Sequence, residues 1–372
     1  MQKLLISGGH LTPALALIDY LQSEEVTLEI IFAGRLFSQK KNKQESQEKE
    51  EISKRKIKFV AFDAPRPPTN FAQKITFVLN LKIAFCKALW LMIKFRPKVF
   101  LSFGGYLAVP LGIAAWTLGI PVVTHEQTKT AGQANKFLAK FAKKIAISYP
   151  ETEKLFPKKK TILTGNPIRP DLLSTRPQRP DWSKGFSKSK PTLLMTGGNQ
   201  GSYIINTTVA QIIPKVINSW NVIHACGNPT QKINYKNELD KIKKKLNATN
   251  RKSYVIKEWL TTPELAWIYN TADGIISRAG ANTIQEIAFA QIPAILIPLP
   301  FSKGKEQLLN AKSLTDSGAA ILLEQKKLNA DSLLEKIIYL KKHQKSLKRK
   351  LEPLKPQLSG ARKLWEIINA LL

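Results

Sequence analysis

The sequence predicts an α/β protein built from two Rossmann-like, doubly wound domains that face a cleft. Three observations predict this fold: short apolar runs alternate with helical stretches, a proline-rich segment interrupts the alternation, and several runs end in glycine-containing turns. Apolar runs that alternate with helices are typical of parallel sheets covered by helices on both faces. A chain of 372 residues is long enough for two such domains.

The apolar runs are the predicted strands. Those of the first half cover residues 3–7, 28–33, 57–62, 99–103, 121–125 and 144–148, and those of the second half cover residues 192–196, 221–225, 254–257, 274–277 and 294–298. Residues 166–190 hold four prolines and no apolar period, which predicts a linker. We therefore expect domains at 1–165 and 191–345, with the ligand site in the cleft between them. Residues 346–372 are predicted to form helices. One possible position for these helices is against the first domain.

Lysine and arginine outnumber aspartate and glutamate by 58 to 27, which gives a formal net charge of +31. This charge favours a polyanionic partner such as nucleic acid, anionic lipid or a phosphorylated substrate, although a lysine-biased proteome would also explain it. Cys86 and Cys226 match neither a disulfide framework nor a metal site, so we expect a reducing compartment. The first apolar run is too short for an export signal. We assign no chemistry to the mixed-charge run at 38–56.

The first glycine turn, residues 8–10, follows the strand that ends near Ser7. We expect Thr12 to be the N-cap of the next helix and Pro13 its first residue. Glycines at this position allow a ligand to approach closely beside a helix N-terminus. His10 is either a general base or a residue that closes the turn, and spacing does not decide between them. The turn lacks the third glycine of a dinucleotide fingerprint, so hydride chemistry is not favoured.

The second turn, residues 195–202, also joins a predicted strand to a helix. Its backbone amides are expected to hold a diphosphate, with the side chains of Asn199 and Gln200 as further donors. The turn lacks the Lys-Ser/Thr pair of a P-loop, which argues against nucleoside triphosphate hydrolysis.

The third turn, residues 276–286, contains the predicted N-cap Asn282 and, three residues later, Gln285. Glu286 lies on the next turn of the helix. Its carboxylate is able to accept hydrogen bonds from two neighbouring sugar hydroxyls, or it is simply an acid that is favourable near a helix start.

Five motifs in chain order resemble those of the MurG-type N-acetylglucosaminyltransferases of peptidoglycan synthesis, in glycosyltransferase family 28. They are LSFGGY at 101–106, PVVTHEQ at 121–127, TGNPIR at 164–169, GGNQG at 197–201 and RAGANT at 278–283. The resemblance implies a glycosyltransferase-B fold whose first domain binds the acceptor and the membrane and whose second binds the UDP-sugar. It implies inverting transfer of N-acetylglucosamine from UDP-N-acetylglucosamine to the C4 hydroxyl of undecaprenyl-pyrophosphoryl-N-acetylmuramoyl-peptide, with no cofactor and no metal.

The resemblance also implies roles for individual residues. His10 is the implied catalytic base, and Glu286 is implied to hold the ribose diol. The implied acceptor-binding residues are Gly105, Tyr106, His125, Glu126 and Gln127. The implied donor-binding residues are Ser7, Gly8, Gly9, Thr128, Arg169, Gly198, Asn199, Gln200, Leu260 near the uracil, Ala281, Asn282, Thr283, Glu286 and Gln307.

Four positions depart from the family pattern. Ser7 stands where threonine is usual, Thr128 where asparagine is usual, Asn199 where serine is usual and Glu306 where glutamine is usual. The first three of these departures keep open an alternative: a related two-domain glycosyltransferase that acts on diacylglycerol or on another polyprenyl-linked acceptor.

Residues 74–96 are long enough to span a bilayer but contain Lys82 and Lys87, which predicts an amphipathic helix rather than a transmembrane one. In the family, an apolar patch rimmed by basic residues contacts the cytoplasmic leaflet. The resemblance therefore implies a peripheral protein on the cytoplasmic face of the plasma membrane, attracted by its anionic surface. The candidate contacts are Phe77, Leu81, Phe85 and Trp116. Alternatively, this helix packs on the sheet. The membrane contact and the packing on the sheet can both hold, for different faces of the helix.

A nucleic-acid-binding protein is the rival class that the charge suggests. It predicts interleaved aromatic and basic residues or a recognisable binding module, and the sequence has neither. We therefore expect no nucleic-acid partner, and the resemblance points to UDP-N-acetylglucosamine, the lipid-linked acceptor and other cell-wall synthesis proteins.

Overall fold

The computed structural model describes residues 1–37, 45–66, 68, 73–169, 177–198, 201–228, 233–356 and 359–372. They form two compact units, one of residues 1–170 with 357–372 and the other of residues 171–356. Each unit is built on one parallel sheet with helices packed against it. The predicted class of two parallel-sheet α/β domains is confirmed.

The strands follow the apolar runs of the sequence. In the first unit they are β1 (Lys3–Ser7), β2 (Glu29–Gly34), β3 (Lys58–Ala61), β4 (Val99–Ser102), β5 (Val122–Glu126), β6 (Lys144–Ile147) and β7 (Thr161–Leu163). In the second unit they are β8 (Thr192–Thr196), β9 (Asn221–Ala225), β10 (Tyr254–Lys257), β11 (Gly274–Ser277), β12 (Ala294–Leu296) and β13 (Ala320–Leu322). The sequence analysis missed β7 and β13, two edge strands of three residues each, which are too short to show a period.

The α-helices alternate with the strands. Those of the first unit are α1 (Leu11–Ser23), α2 (Gln47–Lys54), α3 (Gln73–Phe95), α4 (Ala108–Thr117) and α5 (Gln133–Leu138). Those of the second are α6 (Tyr203–Val216), α7 (Tyr235–Lys244), α8 (Ala248–Lys252), α9 (Thr262–Thr271), α10 (Ala281–Ala290), α11 (Glu306–Thr315) and α12 (Ala330–Leu351). The final helix, α13 (Gly360–Asn369), belongs to the first unit. The boundary expected at residue 345 falls inside α12.

Each sheet has one point where the strand order reverses. The first sheet runs β3-β2-β1-β4-β5-β6-β7, and the second runs β10-β9-β8-β11-β12-β13. The order therefore reverses between β1 and β4 and between β8 and β11. In open parallel sheets, ligands bind beyond the carboxyl ends of the strands at such points. The three glycine turns of the sequence analysis follow β1, β8 and β11.

The core of the first unit lies on both faces of its sheet. Leu5 of β1 belongs to the cluster under α3 and α4, whereas its neighbours Leu4 and Ile6 belong to the cluster under α1 and α13. Successive side chains of a strand point to opposite faces, so a strand covered on both sides must be apolar throughout. This explains why β1 is an unbroken apolar run before Ser7.

Candidate active site

The first turn places His10 at the N-cap of α1. The helix begins at Leu11, so the predicted N-cap Thr12 and the predicted first residue Pro13 both lie inside it. The correction follows from the backbone, because Gly9 has a positive φ of 132° and His10 is extended just before the helix. A Cβ on Gly9 would lie 2.6 Å from the carbonyl oxygen of Gly104, so only glycine fits there.

The ring of His10 is oriented by one hydrogen bond. Its Nδ1 donates to the backbone oxygen of Phe103 at 2.7 Å, since a carbonyl oxygen only accepts. In the neutral ring the proton therefore sits on Nδ1, and Nε2 carries the lone pair that a general base needs. His10 is exposed, so a substrate hydroxyl is able to reach it.

The turn after β4 packs against the turn that carries His10. A Cβ on Gly105 would lie 3.1 Å from the Cα of Gly9, and one on Gly104 would lie 3.4 Å from the Nδ1 of His10. Both glycines have positive φ values, 87° for Gly104 and 83° for Gly105. The close approach of the two glycine turns brings the Phe103 carbonyl to His10, and the half-buried Tyr106 follows directly.

Glu126, at the end of β5, organises the loop that follows. Its buried carboxylate accepts hydrogen bonds from the amide and hydroxyl of Thr128, from the amide of Gly132 at 2.7 Å and from the Nδ2 of Asn135 at 2.9 Å. Four donors occupy both carboxylate oxygens. These bonds position the loop, and the substrate contacts implied for Glu126 and Thr128 stay predictions.

His125 is fully buried beside this loop. Its Nε2 donates to the backbone oxygen of Gly165 at 3.1 Å, and desolvation, with a smaller effect from His10, lowers its pKa to about 4. The ring is therefore neutral at physiological pH. Its Nδ1 and the Oε1 of Gln127 are buried without a hydrogen-bond partner among the described residues. Buried polar atoms usually have a hydrogen-bond partner, which for these two atoms is an ordered water or a ligand.

Glu48 was missed by the sequence analysis. It lies on α2 and is buried, and its carboxylate accepts from the amide of Gly9 at 3.1 Å and from the amide of Arg35 at 2.8 Å. The protein's own carboxylate thus holds the loop amide that a Rossmann fold commonly offers to a phosphate. No sequence signal separates Glu48 from Glu50 and the other glutamates of the same charged run.

Ser7 ends β1 between Ala33 of β2 and Ser102 of β4. Its side chain is fully buried, and its hydroxyl has no hydrogen-bond partner within the described part of the chain.

The turn after β8 is equally tight. A Cβ on Gly197 would lie 2.3 Å from the amide nitrogen of Ser202, the N-cap of α6, and Gly198 has a positive φ of 84°. Asn199 and Gln200 lie outside the described residues. The geometry keeps glycine at positions 197 and 198.

Arg278, directly after β11, ties three elements of the second unit together. Its guanidinium donates to the Oγ of Ser202 at 2.7 Å and to the backbone oxygen of Ile297 at 3.1 Å, and burial lowers its pKa. The sequence analysis included Arg278 in a motif without a role. Its bonds assign it to holding the turns after β8, β11 and β12 in place.

The helix after β11 begins earlier than predicted. Gly280 is the N-cap and Ala281 the first residue of α10, so Asn282 and Thr283 lie in its first turn, and the predicted Asn282 cap is wrong. The reason is the extended backbone of Gly280, which makes this residue the N-cap although it has no side chain to donate or accept a capping bond. The N-terminus of a helix is suited to an anionic ligand.

Glu286 lies on the second turn of α10, and its buried carboxylate accepts from the hydroxyl of Tyr269 at 2.9 Å. Gln307, on the first turn of α11, accepts from the amide of Leu299 at 2.9 Å through its Oε1. Leu260 is buried just before α9.

The predicted site residues therefore divide between the two units. The first unit contains Ser7, Gly8, Gly9, His10, Gly105, Tyr106, His125, Glu126, Gln127, Thr128 and Arg169, and the second contains Gly198, Leu260, Ala281, Asn282, Thr283, Glu286 and Gln307.

Comparisons with known proteins agree with this architecture. The family model "Glycosyltransferase family 28 N-terminal domain" matches residues 7–147, and "Glycosyltransferase family 28 C-terminal domain" matches residues 192–364. A UDP-N-acetylglucosamine–N-acetylmuramyl-(pentapeptide) pyrophosphoryl-undecaprenol N-acetylglucosamine transferase of Clostridium kluyveri is 34% identical over 344 residues, 91% of this chain and 90% of the relative. The transferase of the same name from Clostridium perfringens is 35% identical over 339 residues, 91% of this chain and 88% of the relative.

Solved structures show the same fold. The crystal structure of Acinetobacter baumannii MurG has a TM-score of 0.70 at 23% identity and covers 100% of both chains. The glycotransferase of kitacinnamycin has a TM-score of 0.69 at 16% identity, over 100% of this chain and 99% of its own. The fold and the turns at its two switch points define a glycosyltransferase of the glycosyltransferase-B type. The chain belongs to glycosyltransferase family 28.

Proposed function

We propose that this enzyme transfers N-acetylglucosamine from UDP-N-acetylglucosamine to the C4 hydroxyl of undecaprenyl-pyrophosphoryl-N-acetylmuramoyl-peptide, with inversion at the anomeric carbon. The observation that carries the proposal is the His10 ring at the switch point of the first sheet, whose Nδ1 is held by the backbone oxygen of Phe103, so that Nε2 is the proton-accepting atom of the neutral ring. The names of the Clostridium relatives specify the same donor and acceptor.

In this proposal His10 accepts the proton of the acceptor hydroxyl as that oxygen attacks the anomeric carbon. The bond to UDP breaks at the same time, and negative charge develops on the leaving diphosphate. The N-terminus of α10 is suited to meet that charge, because the helix dipole favours an anion there. Glu286, fixed by Tyr269, is proposed to accept hydrogen bonds from the ribose diol.

Release of UDP from UDP-N-acetylglucosamine tests this function directly. Purified protein is expected to release UDP with the lipid-linked muramoyl-peptide acceptor and not with diacylglycerol or with a polyprenyl diphosphate that lacks the muramoyl sugar. UDP release with diacylglycerol instead would favour the alternative acceptor class. Release of UDP at background level with every acceptor would contradict both the proposed function and the alternative acceptor class.

The outer face of α3 supports a membrane location. The helix is long and apolar enough to cross a membrane by length and composition, but Ala84, Ala88 and Leu91 bury its inner face in the core. The predicted contacts Phe77, Leu81 and Phe85 are only half-exposed, because they flank that inner face.

The exposed apolar face of α3 is formed by a different set of residues. They are Ile75, Val78, Leu79, Ile83, Trp90 and Ile93, each about half or more exposed, and the predicted Trp116 of α4 is 53% exposed as well. Lys82, Lys87 and Lys94 lie on the exposed part of the same helix. An apolar helix face with interspersed lysines is typical of binding at an anionic membrane surface.

We propose that this face binds the cytoplasmic leaflet of the plasma membrane. Both cysteines are free, as a reducing compartment favours. Replacing Leu79 and Ile83 together by serine should weaken binding to phosphatidylglycerol-containing vesicles at least tenfold, since each apolar side chain contributes about 1.5–3 kcal/mol when buried.

Vesicle flotation measures this binding. Ile338→Ser, which changes an exposed isoleucine of the second unit, is the matched control and should bind like the wild type. Unchanged flotation of the double variant would refute the assignment of this face, and equal binding to neutral and anionic vesicles would refute the electrostatic contribution.

A further inference from the structure

Three polar side chains are buried together in the core of the second unit. They are Asn206 of α6, His224 of β9 and Tyr254 of β10, each at most 2% exposed. Val222, two residues before His224 and therefore on the same face of β9, belongs to the same apolar cluster as Tyr254. Polar groups are costly to bury in such a place unless they are hydrogen-bonded. The chemistry proposed above uses none of these three side chains.

The hydrogen bonds of these side chains run in one direction. The Nδ2 of Asn206 donates to the backbone oxygen of Cys226 at 2.8 Å, so the Oδ1 of Asn206 accepts from the Nε2 of His224 at 3.0 Å. The Nδ1 of the ring then accepts from the hydroxyl of Tyr254 at 3.0 Å. Burial lowers the pKa of His224 to about 3 and raises the pKa of Tyr254, so the ring is neutral and the hydroxyl keeps its proton. These bonds form one polar network in the order Tyr254, His224, Asn206 and the oxygen of Cys226.

The last acceptor of the polar network, the oxygen of Cys226, supports the turn after β8. A Cβ on Gly201 would lie 2.1 Å from that oxygen, so the backbone of the turn packs directly on it. The amide of Gly201 donates to the oxygen of Gly198 at 2.9 Å, which closes the turn. The amide of Cys226 donates to the oxygen of Lys257 at 2.9 Å, at the end of β10. The turn therefore rests on a carbonyl whose neighbouring peptide groups are both held by hydrogen bonds.

Asn206 also joins the turn to α6. Its amide donates to the oxygen of Ser202 at 2.9 Å, and Ser202 is the N-cap of that helix. Asn206 thus holds the turn through its main chain at Ser202 and through its side chain at the carbonyl beneath Gly201. Apolar contacts carry no direction, whereas a fully bonded polar network fixes one arrangement of the elements that it joins.

We infer that Asn206, oriented by His224 and Tyr254, is a positioning residue for the turn after β8 and thereby for the diphosphate of the sugar donor. The backbone amides of this turn are predicted to hold a diphosphate, and a displacement of about 1 Å is enough to spoil such an arrangement. Asn206 is buried, so it acts through the turn and not on the donor itself. The inference rests on the proposed function for the identity of the donor, whereas the coupling of the polar network to the turn rests on the bonds of the second unit.

Asn206→Leu nearly keeps the size of the side chain and removes both of its hydrogen bonds. Calorimetry on the full chain with UDP and with uridine measures the effect. UDP should bind about tenfold more weakly than to the wild type, and uridine should bind within about twofold, because uridine lacks the diphosphate that the turn is proposed to hold. A general loss of stability would weaken the binding of both ligands alike.

Thr208→Val is the matched control for Asn206→Leu. Thr208 is a buried polar residue of the same helix, and its hydroxyl donates to the oxygen of Ile204 at 2.7 Å. This variant loses a buried hydrogen bond of α6 that does not reach the turn. It should bind UDP and uridine like the wild type.

Tyr254→Phe is a milder variant that keeps the test decisive should Asn206→Leu not fold. It removes only the hydroxyl that donates to the Nδ1 of His224, at the end of the polar network away from the turn. UDP should bind about threefold more weakly and uridine as it binds to the wild type, since one neutral hydrogen bond is lost.

Two results would overturn the inference. One is UDP binding as tight as that of the wild type in folded Asn206→Leu or, where that variant does not fold, in Tyr254→Phe. The other is an equal weakening of UDP and uridine binding, which would make the polar network a support of the fold alone.

The transfer assay separates this inference from the proposed function. If the wild type transfers the sugar, Asn206→Leu should raise KM for UDP-N-acetylglucosamine about tenfold and leave KM for the lipid-linked acceptor unchanged. If the wild type binds UDP but transfers nothing, the proposed function fails, and the comparison of UDP with uridine still decides the role of the polar network. A wild type that binds neither UDP nor uridine would contradict both.

Discussion

Replacing His10 by alanine is expected to lower kcat by about 10² to 10⁴-fold, the usual contribution of a positioned general base. The affinity for UDP should stay nearly unchanged, because the proposed UDP contacts of α10 and Glu286 belong to the second unit. Removing the imidazole takes away the proton acceptor and the bond to Phe103 but no part of the second sheet. Steady-state kinetics and UDP calorimetry on the same preparation check both expectations.

His343→Ala is the matched control for His10→Ala. His343 is an exposed histidine on α12, and its Nδ1 likewise lies within hydrogen-bonding distance of a backbone oxygen, that of Tyr339. Its removal should leave kcat within about twofold, since surface changes of this kind have small effects. Wild-type turnover by the His10 variant would exclude His10 as the base.

Replacing Glu48 by glutamine is expected to lower kcat by about 10-fold to 100-fold without changing KM for UDP-N-acetylglucosamine. The carboxylate holds the amides of Gly9 and Arg35, and a glutamine amide can present only one acceptor oxygen to these two donors. The turn that carries His10 then shifts, and a displacement of about 1 Å is able to cost about 100-fold in rate. Kinetics with both substrates measure the effect.

A double-mutant cycle shows whether Glu48 acts through His10. If it does, Glu48→Gln should lower kcat far less in the His10→Ala background than in the wild type, because the group that it positions is gone. Glu50→Gln, on the exposed side of the same helix, is the control and should leave kcat unchanged in both backgrounds. An equal loss in both backgrounds would show that Glu48 supports the fold and not the base.

Much of the fold was predictable because both sheets are parallel and covered on both sides. Continuous apolar runs such as residues 99–101 of β4 follow from that environment, and glycine turns mark where the strands end. The edge strands Thr161–Leu163 and Ala320–Leu322 were not predictable, since three residues carry no period and an edge needs less apolar sequence.

The candidate site was predictable only where a motif lies within one turn. His10 and the glycines beside it form such a motif. Glu48 and Arg278 act on partners 39 and 76 residues away, Gly9 and Ser202, and such contacts arise only when the chain has folded. The helix starts at Leu11 and Ala281 were also misjudged, because backbone conformation at a neighbouring glycine decided them rather than cap propensity.

The packing of α13 affects the order in which the two units complete their folding during synthesis. Leu364 and Ile368 lie in the same core cluster as Leu4 and Ile6 of β1, although the ribosome makes them after the entire second unit. A Cβ on Gly360 would lie only 2.4 Å from the oxygen of Asn166, so this helix docks tightly. The second unit is therefore able to finish folding first, while the unit that begins the chain keeps one apolar face open until its last helix leaves the ribosome.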